Sequence, residues 1–140
     1  MNGFLLDTNV ISELIKPEPD GNVLRWISEA DEALLFLSVL TLGEIRNGIE
    51  KLNPGKRRGR LESWLAVDLR LRFQERILTI DEGIAQRWGA LSAMTAKKGR
   101  PVPVIDGLLA ATALHHDLML VTRDDVDVSG TGVPVVNPWQ

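Results

Sequence analysis

Four acidic residues stand where they could bind one divalent metal ion together: Asp7, Glu44, Asp106 and Asp124. Mg²⁺ prefers hard oxygen ligands, usually one or two carboxylates, and water or substrate phosphate completes its coordination. Carboxylates that gather without a cation repel one another and raise each other's pKa values. Such a cluster is not expected to arise for stability, so the four acids predict a metal site if the fold brings them together.

Each acid also has a structural explanation. Asp7 could simply cap a short helix. Glu44 falls three residues after Thr41, which is the spacing of a capping box. Asp106 could be a helix N-cap, and Asp124 could belong to a solvated acidic loop. The metal hypothesis therefore depends on the joint placement of the four residues and not on any one of them.

The first half of the chain predicts two strands that are each followed by an acid. Phe4-Leu5-Leu6 predicts a short strand that ends at Asp7. The continuous apolar run over residues 34–39 is typical of a strand that is buried on both faces. Thr41 then begins a predicted helix that contains Glu44.

The second half continues the alternation of strands and helices. Further strands are predicted at residues 77–80, 118–122 and 133–136, the last at a sheet edge because it contains Pro134. Helices are predicted over residues 10–15 and 61–73, after Asp20 and Asp81, and from Asp106 onward. Such alternation implies an α/β fold in which helices cover both faces of a parallel sheet.

Functional residues of parallel sheets lie beyond the carboxyl ends of the strands. Asp7, Glu44 and Asp124 follow this rule, because each comes after a predicted strand. Asp106 begins the helix that leads into the fourth strand. This placement does not determine at which end of the sheet Asp106 lies.

The composition predicts one globular domain spanning residues 1–140. Hydrophobic residues make up 44% and charged residues 25%, which are ordinary values. No apolar run approaches the roughly 18 residues of a membrane span, and the opening MNGFLLDTNV lacks the continuous apolar stretch of a signal peptide. The absence of cysteine excludes disulfides and thiolate metal sites and is consistent with a cytoplasmic protein.

The net charge of −3 argues against a protein that binds nucleic acid mainly by bulk positive charge. An enzyme whose metal ions supply local positive charge remains compatible with it. The best basic patch consists of Lys56, Arg57, Arg58 and Arg60, which could steer a phosphate backbone toward a cleft. A solvated loop before a helix explains the same patch equally well.

Other catalytic chemistries have little support. The only two histidines, His115 and His116, are adjacent and lie near a predicted helix C-terminus, where positive charge is favourable. A zinc site of ordinary composition is not expected without cysteine or a third histidine. The G-x-S-x-G pattern of a serine hydrolase is absent from the sequence.

Four sequence blocks resemble the signature blocks of PIN domains, and in particular of VapC-type toxins from bacterial toxin–antitoxin pairs. The blocks are LLDTNVISE, EIRNG, DGLLAATA and VTRD, and they occur in the family's order and spacing. The ending TGVPVVNPW resembles the tail of a subset of these toxins. The resemblance covers nearly the whole chain and implies a three-layer α/β/α PIN-like domain with a central parallel sheet of four or five strands.

The resemblance also implies a Mg²⁺- or Mn²⁺-dependent endoribonuclease. Its catalytic acids and metal ligands would be Asp7, Glu44, Asp106 and Asp124, supported by Thr8, Asn9, Thr122 and Asp127. Many members have T-R-N-x-x-D-F in the last block, whereas this chain has TRDDVDV. Asp124 therefore occupies the asparagine position and Asp127 keeps the later acid, which leaves open which of the two lies nearer the metal.

The expected reaction is metal-assisted hydrolysis of RNA phosphodiester bonds, with Asp7 and Asp106 as the main direct ligands. The resemblance implies a VapB-like antitoxin that inserts a helix or basic side chain across the acidic cleft. It also implies a homodimer or a toxin–antitoxin hetero-oligomer, and no association with a membrane is expected. Two alternatives use the same acids. One is a metal-dependent DNA nuclease or phosphatase, and the other is a non-catalytic metal-binding interaction module.

Overall fold

Five short parallel strands form the centre of the protein. The structure, a computed structural model, describes residues 2–140. The strands are β1 (Phe4–Leu6), β2 (Leu35–Ser38), β3 (Ile77–Leu78), β4 (Met119–Val121) and β5 (Val135–Val136). Their order in the sheet is β3-β2-β1-β4-β5, and every neighbouring pair is parallel. The five-stranded sheet confirms the predicted architecture, and β5 is an edge strand as Pro134 indicates.

Helices connect the strands and cover both faces of the sheet. They are α1 (Thr8–Leu14), α2 (Gly21–Glu29), α3 (Val39–Glu50), α4 (Lys56–Ser63), α5 (Arg70–Arg72), α6 (Glu82–Lys97), α7 (Val104–His115) and α8 (Asp125–Val128). A π-helical segment (Trp64–Leu69) joins α4 to α5, and 3₁₀ turns occur at Glu32–Leu34 and Ser129–Thr131. No helix within residues 2–140 is long and apolar enough to cross a membrane.

Two hydrophobic cores lie on opposite faces of the sheet. Successive strand residues point to opposite faces, so Leu6 joins one core and Leu5 joins the other. The first core packs α1, α3 and the α4–α5 segment against the sheet, and the second packs α6 and α7. The buried alanines of α7, including Ala110 and Ala113, have little bulk and let this helix lie close to the sheet.

The prediction that the basic patch belongs to a loop before a helix at residues 61–73 is wrong, because α4 already begins at Lys56. Positive charge in the first turn of a helix is unfavourable. Arg58 offsets this through ion pairs with Glu50, 3.1 Å away on α3, and with Glu62, 3.3 Å away one turn later. Contacts between separate elements therefore stabilise a helix whose local sequence is typical of a loop.

Two structural explanations of the acids are also wrong. Helix α3 begins at Val39, two residues before the predicted start, and the hydroxyl of Ser38 caps it by accepting from Leu40 N at 3.0 Å. Glu44 is therefore not part of a capping box. Helix α7 begins at Val104 with Pro103 as its N-cap, so Asp106 lies inside the first turn and does not cap it.

Candidate metal centre

Asp7 occupies the carboxyl end of the central strand β1. Its backbone N–H donates to the carbonyl of Val121 on β4 at 2.9 Å, which continues the pairing of the two strands. Its carboxylate accepts from Thr8 N at 2.7 Å, which caps α1, and from the hydroxyl of Thr122 at 2.7 Å. The side chain is only 6% exposed, so the surrounding structure holds it in one orientation.

Asp106 and Asp124 reach the same point from other elements. One carboxylate oxygen from each of Asp7, Asp106 and Asp124 lies within 4.8 Å of the other two. Asp106 comes from the first turn of α7, and Asp124 immediately precedes the single-turn helix α8. The structure therefore brings together three residues that are far apart in the sequence.

A network of hydrogen bonds connects α1 to the end of β4. The Thr122 hydroxyl, which donates to Asp7, also accepts from Asp124 N at 2.9 Å. The amide Nδ2 of Asn9 donates to Asp124 at 3.2 Å and to Thr122 at 3.4 Å. Thr122 thus orients the carboxylate of Asp7, and Asn9 orients that of Asp124.

Glu44 lies beside the three aspartates but is not part of their close group. The hydroxyl of Thr8 donates to its Oε1 atom, and the Thr8 and Thr41 hydroxyl oxygens are 3.2 Å apart. Thr41 is fully buried and is not among the site residues predicted from the sequence. Its position soon after a strand of a parallel sheet is the signal that could have identified it.

Asp127 is not one of the three clustered residues either. Its backbone N–H donates to the carbonyl of Asp124 at 3.1 Å within the turn of α8. Its charge nevertheless acts on Asp106. Of Asp124 and Asp127, Asp124 is therefore the one in the close group.

The electrostatics of the cluster favour the binding of a cation. Burial is the largest cause that raises the pKa of Asp106 to about 6, and the charges of Asp7 and Asp124 add to it. Burial also raises the pKa of Asp7, against the lowering effect of its bonds from Thr122 and Thr8. Within residues 2–140, no lysine or arginine forms an ion pair with these aspartates.

The donor set fits a hard divalent cation. Three carboxylate oxygens at this spacing match the ligand type that Mg²⁺ and Mn²⁺ prefer, and they leave positions for water and a phosphate. No cysteine occurs in the chain and neither histidine is in the cluster, so the site does not resemble a zinc centre.

Comparison with known proteins identifies the family to which this chain belongs. Residues 4–127 match the PIN domain family. The chain belongs to the PIN domain family. It is 37% identical to the VapC ribonuclease Y4jK of Sinorhizobium fredii, over 98% of both chains. It is 36% identical to the toxin FitB of Neisseria gonorrhoeae, over 97% of this chain and 98% of FitB.

A solved structure confirms the fold of this PIN domain. The crystal structure of FitAcB from Neisseria gonorrhoeae superposes with a TM-score of 0.93 at 35% sequence identity. The match covers 98% of this chain and 99% of the other. The three-layer α/β/α architecture predicted from the sequence is therefore that of the family.

The four basic residues predicted to contact RNA divide into three groups in this PIN domain. The side chain of Arg58 is occupied by its ion pairs and by the carbonyl of Leu52, at 3.1 Å. Lys56 and Arg60 line a shallow cavity that contains none of the four acids. Arg57 lines a groove that also contains Thr8 and Glu44, so it is the member of the tract beside the metal centre.

Proposed function

We propose that this protein is a Mg²⁺- or Mn²⁺-dependent endoribonuclease that acts as the toxin of a toxin–antitoxin pair. The observation that carries the proposal is the group of three carboxylates within 4.8 Å of one another, which pair with no lysine or arginine of residues 2–140. Membership of the PIN domain family and 37% identity to a VapC ribonuclease support the same activity. Asp7, Asp106 and Asp124 are the proposed metal ligands.

Each residue has a part in the proposed reaction. Asp7, Asp106 and Asp124 would hold a divalent cation, which would lower the pKa of a bound water and offset the charge of the phosphate. Thr122 and the N–H of Thr8 orient Asp7 and favour its ionised form, because they donate to the charged carboxylate. Glu44 is bonded to Thr8 through Oε1, and we assign its Oε2 the task of accepting a proton from water.

The Asp7→Asn variant tests the assignment. Cleavage of RNA in Mg²⁺ or Mn²⁺ should fall by more than about 10²-fold, since loss of a ligand exceeds the 10–100-fold effect of losing its outer partners. The matched control is Asp68→Asn, which removes an exposed carboxylate from the π-helical segment and should cleave at the wild-type rate. Wild-type cleavage by a folded Asp7→Asn variant would disprove the assignment.

The choice of substrate separates the alternatives. We expect the wild-type protein to cut RNA strands internally and to leave matched DNA strands and a phosphomonoester intact. Preferential turnover of DNA or of the phosphomonoester would instead indicate a DNA nuclease or a phosphatase. Binding of RNA without cleavage in saturating Mn²⁺ would indicate a non-catalytic module.

A VapB-like antitoxin is the proposed protein partner. A relative of this chain is named a toxin, which supports a partner that restrains it. The groove between α1, α3 and α4 has a volume of about 210 Å³ and an apolar floor that includes Ile45 and Leu61. It ends at Glu44, so an antitoxin helix with a basic side chain would be complementary to it. We also propose a homodimer or a toxin–antitoxin hetero-oligomer, located in the cytoplasm.

A further inference from the structure

A second cleft lies on the α7–α8 side of the acidic cluster. The segment between α6 and α7 forms one wall, with Arg100, Pro101 and Pro103. Helix α8 and the turn that follows it form the other wall, which includes Val126 and Asp127. The cleft has a volume of about 300 Å³, at the lower limit for small-molecule sites, which suits part of one nucleotide.

The cleft is continuous in sequence with two of the metal-centre residues. Pro103 is the N-cap of α7, and Asp106 lies in the first turn of that helix. Val126 and Asp127 belong to α8, which begins directly after Asp124. The charge of Asp127, on one wall of the cleft, acts on Asp106 in the cluster. The cleft therefore adjoins the metal centre on this side.

The walls of the cleft offer the groups that a nucleotide needs. Arg100 is exposed and forms no ion pair within residues 2–140, so its planar guanidinium is available for a phosphate or for stacking on a base. Val126 is 71% exposed, a large apolar exposure for a residue beside an active site. Asp127 can accept a hydrogen bond from a base amino group.

The backbone around Arg100 is held in place. Its N–H donates to the carbonyl of Thr95 at 3.0 Å, and Val102 N donates to the Thr95 hydroxyl at 3.3 Å. Thr95 is buried, so these bonds anchor the segment to α6. On the opposite wall, the Ser129 hydroxyl donates to the Val126 carbonyl at 2.8 Å. A cleft with anchored walls can discriminate between bases.

We propose that this cleft binds the nucleotide adjacent to the scissile phosphate of the RNA substrate. Arg100 contacts the phosphate of that nucleotide, and Val126 packs against its base. The assignment rests on the proposed ribonuclease function and adds the residues that select the cleavage sequence. It places specificity on the α7–α8 side of the metal centre, opposite the groove that contains Arg57.

Steady-state kinetics on one short RNA test the phosphate contact. Arg100→Gln should raise KM by about tenfold and leave kcat within about twofold, because a contact made equally in the ground and transition states affects KM alone. Arg100→Lys should recover part of the loss, since the charge remains. Lys98→Gln is the matched control: it removes the same charge from the same segment but does not line the cleft, and its KM should equal that of the wild type.

Cleavage of a random-sequence RNA pool tests the base contact. Val126→Ser should relax the preference at one position beside the cut and leave the other positions unchanged. If KM is unaltered in Arg100→Gln and the sequence preference is unaltered in Val126→Ser, the cleft does not bind the adjacent nucleotide. An inactive Asp7→Asn variant in the same experiments would show that the proposed ribonuclease function still holds. Failure of the wild-type protein to cleave any RNA would overturn the proposed function and the role of the cleft together.

Discussion

At the scale of single residues, Thr122 is the polar group on which the metal centre most depends. It is fully buried, and its one hydroxyl both donates to Asp7 and accepts from the backbone N–H of Asp124. A single side chain thus connects two proposed ligands that follow different strands, β1 and β4. The same hydroxyl also favours the ionised form of Asp7, which the desolvation of that carboxylate opposes.

Thr122→Val removes the hydroxyl at nearly constant volume. The free energy of unfolding should fall by about 1–3 kcal/mol, because the part-buried N–H of Asp124 and the buried carboxylate of Asp7 each lose a partner. Affinity for Mn²⁺, measured by isothermal titration calorimetry, should fall about 10–100-fold. Thr122→Ser keeps the hydroxyl and is the control, with metal affinity close to that of the wild type. Equal affinities for the valine and serine variants would contradict this role.

At the scale of elements, the position of Asp106 follows from the course of helix α7. A helix that returns the chain to the start of a parallel strand runs antiparallel to that strand. The first turn of α7 must therefore lie at the carboxyl edge of the sheet, because the helix leads into β4. The sequence predicts both elements, but without the direction of the helix the end of the sheet at which Asp106 lies stays undecided.

The close approach of α6 to the first turn of α7 requires Gly107. A Cβ atom at this position would lie 3.0 Å from a methyl carbon of Val102 and 3.2 Å from two ring atoms of Trp88. Both distances are shorter than ordinary van der Waals contacts. The residue after Asp106 is therefore small because the indole of α6 packs against the turn that carries the carboxylate.

Gly107→Ala should consequently displace the first turn of α7. We expect a loss of about 1–3 kcal/mol in the free energy of unfolding, the usual cost of overpacking, and weaker binding of Mn²⁺. The control is Gly89→Ala within α6, where a Cβ meets no atom within 4 Å. That variant should gain up to about 1 kcal/mol from helix propensity. Urea unfolding and metal titration of both variants measure the difference, and two stabilised variants would refute the packing argument.

At the scale of the whole molecule, local sequence predicted the elements better than it predicted their ends. The alternation of strands and helices correctly placed Asp7 and Asp124 at the carboxyl edge, because that inference needs only the order of elements. The start of α4 was not predictable in the same way, because the ion pair between Arg58 and Glu50 joins two separate helices. The cleft with Arg100 also depends on how α6, α7 and α8 meet.

The acidic cluster lowers the stability of the whole fold when no metal is bound. In the metal-free protein, Asp106 keeps its proton up to a pKa of about 6, whereas the unfolded chain releases it near 3.8. The folded state therefore binds more protons between these values, and the contribution of Asp106 to stability decreases as the pH rises through this window. Above it, the folded protein carries an ionised group that burial and its neighbours disfavour.

Asp106→Asn removes this cost, so the metal-free variant should melt about 2–8 °C above the metal-free wild type at pH 8. The gap should shrink at pH 5, where the wild-type Asp106 holds its proton. Saturating Mn²⁺ at pH 8 should raise the Tm of the wild type, because a ligand that binds only the folded state stabilises it. The same Mn²⁺ concentration should raise the Tm of Asp106→Asn much less. Thermal unfolding at both pH values, with EDTA or Mn²⁺, gives all these quantities. An Asp106→Asn variant that melts below the wild type in EDTA at pH 8 would show that the cluster stabilises the fold without metal, against the electrostatic argument.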